Sequence, residues 1–480
     1  MKFVVKFFPE IMVKGNAVKK KMVAQLHHNL LTLLHRVDEQ IEVKRFWDKI
    51  EVECDASFHA SVAKVLRQTP GVDQVLEVLE FPFTTQEEIA EIVVQQMVER
   101  IEDKTFVVRV KRSGEHDFTS NELERFVGAA LFRAGNPKGV DIKHADVVVQ
   151  LEVTHQQLYI VTERYPGLGG FPLGMQGDVL SLMSGGFDST VASFLSIKRG
   201  MKTHFIFFNL GGDAHEIGVK QVAFYLWRQY AASHRVQFIT LPFEKVIAEM
   251  FNSIHESYLG VMLKRLMLKA AEQVADEMGI DALVTGESVA QVSSQTLRNL
   301  ALIDEATSKL VLRPLVTMNK NEIIQIAEEI GTRHFAENMP EYCGVISKNP
   351  VTHGSFKRLP REEARFDFSV LEEAVANRSV VPVDQIVTEI NQKAAVPIVN
   401  QVTDEVVIDI RSESEKAQSS LVLASETIEI PFYELNQKFK QLDQNKQYLL
   451  YCEKGVMSQL HAQYLIDQGF NNLKVYRPEA

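Results

Sequence analysis

Cysteine is scarce: Cys54, Cys343 and Cys452 are the only three in 480 residues. None sits in a CxxC pair, which excludes a disulfide framework and argues against zinc or iron–sulfur sites built on paired cysteines, so no structural metal site is expected. No run of about 18 uncharged apolar residues occurs, so no membrane-spanning helix is expected. The N-terminal stretch MKFVVKFFPEIMVKG interrupts its short apolar run with a lysine and offers no small-residue cleavage site. It does not read as a signal peptide, and the chain reads as cytoplasmic. The GxxxxGK phosphate loop of kinases and GTPases, with Ser or Thr after its lysine, is missing. Excess positive charge is missing too: 52 Lys and Arg against 63 Asp and Glu leave a net charge of -11. That excludes a protein that coats nucleic acid by bulk charge alone.

What is present is an ordinary globular balance, 45% hydrophobic and 24% charged, in a chain long enough for about three domains at the usual size. Apolar periodicity predicts a strand at 3–8, a helix at 17–36, strands at 41–46 and 50–54, a helix at 58–68 and a strand at 75–81. That βαββαβ order fits a ferredoxin-like unit. A second α+β unit follows, with helices at 86–101 and 121–134 and strands at 105–111, 146–153 and 157–162. Five glycines and a proline crowd into GLGGFPLGMQG, residues 167–177, marking a linker or a close approach of backbone to a ligand. Strands and helices then alternate, which predicts a parallel sheet covered on both faces. Residues 374–404 lack periodicity and read as a linker, and a small α/β unit begins at Glu405. The expected fold is α/β multidomain, with boundaries at 1–60, 61–165, 166–390 and 404–480.

Between Ile11 and Val37 there are five basic residues, Lys14, Lys19, Lys20, Lys21 and Arg36, and no acid. A second basic cluster, Arg109, Lys111 and Arg112, lies on the predicted strand 105–111 and its end. Each is either a solvated face or a phosphate-contacting patch.

The segment Ser184-Gly185-Gly186-Phe187-Asp188-Ser189 joins a buried-type strand to a helix N-terminus. Main-chain N–H groups and the helix dipole favour anions there, and the two glycines let a phosphate come close. Ser184 and Ser189 add hydroxyls, and Asp188 can hold magnesium or orient the loop. Leu182, Met183, Phe187, Lys264, Gly286, Gln295 and Lys320 complete the candidate ATP site. Gly286 belongs to TGES, just past the short strand 282–284, and Gln295 to the polar stretch QVSSQT. The form SGGxDS resembles the loop of ATP pyrophosphatases, in which a substrate oxygen attacks the α-phosphate and pyrophosphate leaves.

Cys452 follows an apolar strand and opens CEKGVMS before a helix, a setting that favours the thiolate and makes it nucleophilic. Asp409-Ile410-Arg411 and CEKGVMS resemble the opening and the active loop of rhodanese domains, which carry sulfur as a cysteine persulfide. The usual GHIPGA sequence is absent between them, so the resemblance is to a trimmed member. Cys343, in PEYCG, is either structural or a second thiol; Cys54 reads as core.

With SGGFDS, TGESVAQVSSQT, NMPEYCG and CEKGVMS in this order, nearly the whole chain resembles the bacterial tRNA 4-thiouridine synthetases, or tRNA sulfurtransferases, of the long form. The resemblance implies an N-terminal ferredoxin-like domain, a THUMP domain for RNA, a doubly wound ATP pyrophosphatase domain and a rhodanese-like sulfur carrier. It implies ATP and Mg2+ as cofactors and adenylation of a tRNA uridine. Sulfur then comes from a Cys452 persulfide loaded by a cysteine desulfurase, with Cys343 closing a disulfide on Cys452. It also implies sulfur transfer to a small sulfur-carrier protein of thiamine thiazole synthesis. RNA contact would fall on Lys14, Lys19, Lys20, Lys21, Arg109, Lys111 and Arg112; a homodimer is an open option. From the residues alone, an amidotransferase using the same ATP loop and an RNA-binding module are the rivals. The first lacks an ammonia source, and the second leaves SGGFDS and CEKGVMS unexplained.

Overall fold

A computed structural model describes the chain except for residues 211–212, 338, 340–348, 389–395, 412–415, 417–420, 422, 424, 453–455 and 479–480. Cys343 therefore lies outside the described residues. The chain divides into two compact units, Met1–Pro172 and Leu173–Ala480.

The first unit is built on one eight-stranded sheet. Its strands are β1 (Lys2–Phe7), β2 (Glu42–Arg45), β3 (Lys49–Glu53), β4 (Val72–Pro82), β5 (Thr105–Ser113), β6 (Gly139–Val140), β7 (Val147–Thr154) and β8 (Gln157–Pro166). They lie in the order β2-β3-β1-β4-β8-β7-β5-β6. The first four pair antiparallel with helices Asn16–Leu34 and His59–Gln68 between them, the ferredoxin-like arrangement expected from the βαββαβ pattern. β4 runs on to Pro82 and pairs with β8 as well as β1, so the sheet continues into the second α+β half. That half has its own core, in which Ile89, Val93, Leu123 and Val127 from two helices pack on Phe106, Val149 and Leu151.

The second unit holds two further sheets. The six-stranded one contains β9 (Asp178–Leu182), β10 (Lys202–Asn209), β11 (Gln237–Pro242), β12 (Ala282–Val284), β13 (Leu310–Leu312) and β14 (Ser379–Pro382), in the order β13-β12-β9-β10-β11-β14. Successive side chains of β9 enter opposite cores: Val179 packs with Val191 and Ile323, and Leu180 with Ile239 and Leu266. Both faces are thus covered by helices, as a parallel sheet requires. β14 alone runs antiparallel, on β11. It lies in the stretch read from sequence as a linker; four residues ending in Pro382 carry too little periodicity to announce a strand.

The last sheet, β15 (Ile398–Val399), β16 (Val406–Asp409), β17 (Thr427–Glu429), β18 (Tyr448–Tyr451) and β19 (Leu473–Tyr476), is parallel throughout, in the order β15-β19-β18-β16-β17. β15 also comes from the supposed linker. No helix among the described residues is long and apolar enough to cross a membrane.

Candidate functional site

The strand order places β9 between β12 and β10, so the chain winds outward in one direction through β10 and β11 and in the other through β12 and β13. Ligands of open parallel sheets bind past the strand ends at such a switch point. The segment SGGFDS follows β9 and Thr285-Gly286-Glu287 follows β12, which brings both to that crevice.

Gly186 caps the helix Phe187–Lys198 with no side-chain hydrogen bond, so the first-turn N–H groups are left to whatever enters. Gly185 has φ +80, a left-handed conformation that a side chain would strain. The Ser184 amide donates to Ser189 Oγ at 3.1 Å, and Ser189 Oγ donates to the Gly186 carbonyl at 3.3 Å, so the two serines hold the loop closed on itself. Met183 anchors the preceding step by donating its N–H to the Ile206 carbonyl, and Leu182 ends β9.

Asp188 is the hub. Lys320, at the start of helix Lys320–Glu329, donates to its Oδ1 at 2.8 Å and stands 5.3 Å from the Phe187 ring centroid. Gln291 donates to its Oδ2 at 3.0 Å. A Cβ on Gly286 would fall 2.5 Å from the Asp188 carbonyl carbon and 2.7 Å from the Ser189 nitrogen, so only glycine lets the β12 loop seat here. His215, in helix Asp213–Leu226, donates from Nε2 to the Ser184 carbonyl at 3.3 Å; burial, outweighing that hydrogen bond, pushes its imidazole below the ordinary range and favours the neutral form.

Below the crevice, Glu287 is 4% exposed and meets Lys264 at 3.0 Å and Arg313 at 2.7 Å, with Thr285 Oγ1 donating at 3.1 Å. Burial would raise its carboxyl, but the two cations outweigh burial and hold it at about 2. Lys264 therefore rests on Glu287. Because the folded carboxyl titrates far below the ordinary 4.5, this stabilisation is complete above pH 4.5 and disappears as pH falls towards 2. Glu287→Gln leaves two cations facing a neutral amide. It is expected to cost about 3–5 kcal/mol, measured by urea unfolding at neutral pH, and to flatten the acid limb of the stability profile.

The site also fits a nucleotide. Gln291 Oε1 and Gln295 Oε1 are buried with no hydrogen-bond partner, and an amine or ribose hydroxyl would satisfy them. Within the polar stretch QVSSQT, residues 293–295 form a single 3-10 turn, with Thr296 capping the next helix. Among the described residues no group of three His, Cys, Asp or Glu side chains could hold a metal ion.

The second reactive feature is Cys452, at the end of β18. It is 9% exposed, and its Sγ receives the Ser458 N–H at 3.4 Å, with Ser458 Oγ at 3.3 Å. Cys452 and Cys54 are free thiols. Arg411 grips Asp409 through Nε at 2.9 Å and Nη2 at 2.7 Å, and lies 5.1 Å from the Tyr451 ring, so the conspicuous Asp409-Ile410-Arg411 sequence braces the strand that carries Cys452. The helix after this cysteine, Val456–Asp467, packs on helix Asp213–Leu226, the one whose His215 holds the phosphate loop. Phe432 joins the two parts, with Tyr225 at 5.9 Å, Phe335 at 5.6 Å and His461 at 6.0 Å between ring centroids.

In the first unit, Lys14, Lys20 and Lys21 are exposed, and Lys19 sits 4.8 Å over the Trp47 ring. Arg109 and Lys111 share one exposed face of β5. Arg112 points the other way and bonds the Gly114 carbonyl and His116. The basic strand is thus split between two faces. His215 and Ser458 went unselected at the level of sequence: His215 lies upstream of the helical pattern at 219–234, and Ser458, though within CEKGVMS, has no spacing that marks it as a partner of Cys452.

Family models match along the chain: a ThiI ferredoxin-like domain over residues 2–75, a THUMP domain over 83–163, Thiamine biosynthesis protein (ThiI) over 174–368 and a rhodanese-like domain over 394–477. A tRNA sulfurtransferase of Shewanella amazonensis is 47% identical over 484 residues, covering 100% of both chains, and one of Aliivibrio fischeri is 49% identical over 482 residues with the same coverage. Among solved structures, a 4-thiouridine synthetase in complex with RNA and ATP aligns with TM-score 0.69 and 28% identity, over 79% of this chain and 99% of that one.

Proposed function

The chain belongs to the tRNA sulfurtransferase family, and on that premise we propose that it moves sulfur from a Cys452 persulfide to a tRNA uridine, using ATP to make the uridine oxygen leave. The observation that carries this reading is the packing of the Cys452 domain on the helix anchored to the phosphate loop, within one compact unit; it supports a sulfur carrier working beside an adenylating site.

The amides at the start of helix Phe187–Lys198, with Ser184 and Ser189, hold the ATP phosphates. Lys320 and Asp188 set the charge beside them; a magnesium ion, entering with the phosphates, would take Asp188 as its protein ligand. The uridine carbonyl oxygen attacks the α-phosphate and pyrophosphate leaves. The outer sulfur of the Cys452 persulfide, supplied by a cysteine desulfurase, then attacks the uracil carbon as AMP departs with the oxygen. Cys343 attacks Cys452 Sγ, breaks the S–S bond and leaves the sulfur on uracil. The resulting Cys343–Cys452 disulfide is reduced by an external thiol before the next turnover. The same persulfide serves a small sulfur-carrier protein for thiamine thiazole synthesis, a step that does not call on the RNA-binding unit. With tRNA as substrate, the site of action is the cytoplasm; a homodimer is one arrangement of the working enzyme.

The test is ATP-dependent incorporation of labelled sulfur from cysteine into tRNA in the presence of a cysteine desulfurase. No incorporation by the intact chain would remove the reading. Gly286→Val drives a side chain into the Asp188 and Ser189 backbone. It is expected to lower kcat/KM for ATP by about a hundredfold, the scale of ångström misplacement of a reacting group, as read by pyrophosphate release.

A further inference from the structure

Only two tryptophans occur in the chain, and they are used differently. Trp227 is partly buried and donates its indole N–H to the His234 carbonyl at 2.8 Å. Trp47 is 73% exposed at the tip of the β2–β3 hairpin, beside Phe46 at 42%. The tip is a defined turn: the Phe46 amide donates to the Lys49 carbonyl at 2.9 Å, and His27 Nε2, at 3.1 Å from the Val43 carbonyl, ties helix Asn16–Leu34 to the hairpin. Lys19 from that helix stands 4.8 Å over the Trp47 ring, and Lys49 stands 5.3 Å from the Phe46 ring. Around them Lys20, Lys21 and Arg45 are exposed, and no carboxylate pairs with them or with Lys19 among the described residues. Asp48 is the one acid in the turn.

Exposing a large indole beside unpaired cations gains folding little beyond the Lys19 contact, since burial is where its surface would stabilise. Cations around an aromatic face are the recurring arrangement for single-stranded nucleic acid, in which a base stacks on the ring and the flanking phosphates meet the charges. We infer that Trp47 is a stacking platform for an unpaired nucleotide of the tRNA, with Lys20, Lys21 and Arg45 taking the adjoining phosphates. This rests on the RNA reading above. A protein partner would be the other occupant of an exposed aromatic pair, but Lys19, Lys20, Lys21 and Arg45, with no carboxylate paired to them among the described residues, match a polyanion.

The test uses the full chain and follows tryptophan emission during titration with tRNA, a single-stranded oligoribonucleotide and a blunt-ended RNA duplex. The expected result is quenching by the first two and not by the duplex, lost in Trp47→Phe. Trp47→Phe should bind tRNA within about twofold of the parent, because a ring remains, whereas Trp47→Ala should bind about tenfold more weakly with an unchanged salt slope. Lys20→Ala with Lys21→Ala should instead flatten the salt slope. Trp47→Ala binding tRNA as tightly as the parent overturns the platform, and a change only in self-association assigns the hairpin to protein contact. If the parent chain binds no tRNA at all, the RNA reading falls with it.

Discussion

Cys452→Ser is expected to bring sulfur incorporation into tRNA down to background, a loss of at least about a thousandfold, because a serine hydroxyl cannot carry a persulfide. The substitution is nearly isosteric, and the Ser458 N–H that meets Sγ at 3.4 Å keeps an acceptor. The loop before helix Val456–Asp467 should therefore hold its shape, and the loss should not be a folding defect. The variant should still release pyrophosphate from ATP in the presence of tRNA, since the residues proposed to adenylate the uridine lie around the loop after β9. Nucleoside mass spectrometry of the tRNA and a pyrophosphate assay on the same sample separate the two halves of the reaction. Undiminished thiolation would remove Cys452 from the mechanism.

Asp188→Ala should fail in the opposite half. Its carboxylate gathers Lys320 at 2.8 Å and Gln291 at 3.0 Å beside the phosphate loop. Removing it frees the ammonium and loosens the contact between the β9 and β12 loops. Pyrophosphate release and thiolation should both fall by about a hundredfold or more, the scale seen when a group that orders reacting charges is lost. Loading of Cys452 with persulfide by a cysteine desulfurase should be unchanged, because Cys452 has its own bracing from Asp409, Arg411 and Ser458. If persulfide loading falls in parallel, the two sites are not the separate halves described here.

The parts of this architecture legible in the sequence are those in which local signals and tertiary role coincide. SGGFDS declares itself because glycine, hydroxyl and helix start are all required within six residues. The βαββαβ pattern of the first unit and the alternation after Leu173 are set by hydrophobic periods that each segment carries alone. The misreading of 374–404 has a physical cause. Ser379–Pro382 is an edge strand whose partner, Gln237–Pro242, lies far back in the chain, and Ile398–Val399 spans two residues; neither is long enough to show a period. Helix Ser369–Ala376 likewise runs into the same stretch. The Glu287 cluster was hidden for another reason: Lys264, Glu287 and Arg313 come from three separate segments, and only the fold makes them neighbours. Lys264, expected at the nucleotide, is bound to that carboxylate. In the basic strand, alternation sends Arg112 to the face opposite Arg109 and Lys111.

In the proposed reaction the loop after β9 turns a uridine oxygen into a leaving group and the carrier thiol replaces it with sulfur. The decisive measurement uses tRNA whose uridine carbonyl oxygen is labelled with oxygen-18, incubated with ATP, the intact chain, a cysteine desulfurase and cysteine. Each thiouridine formed should yield one AMP carrying the label in its phosphate. Label recovered in water or in inorganic phosphate, with unlabelled AMP, would rule out adenylation of the uridine oxygen.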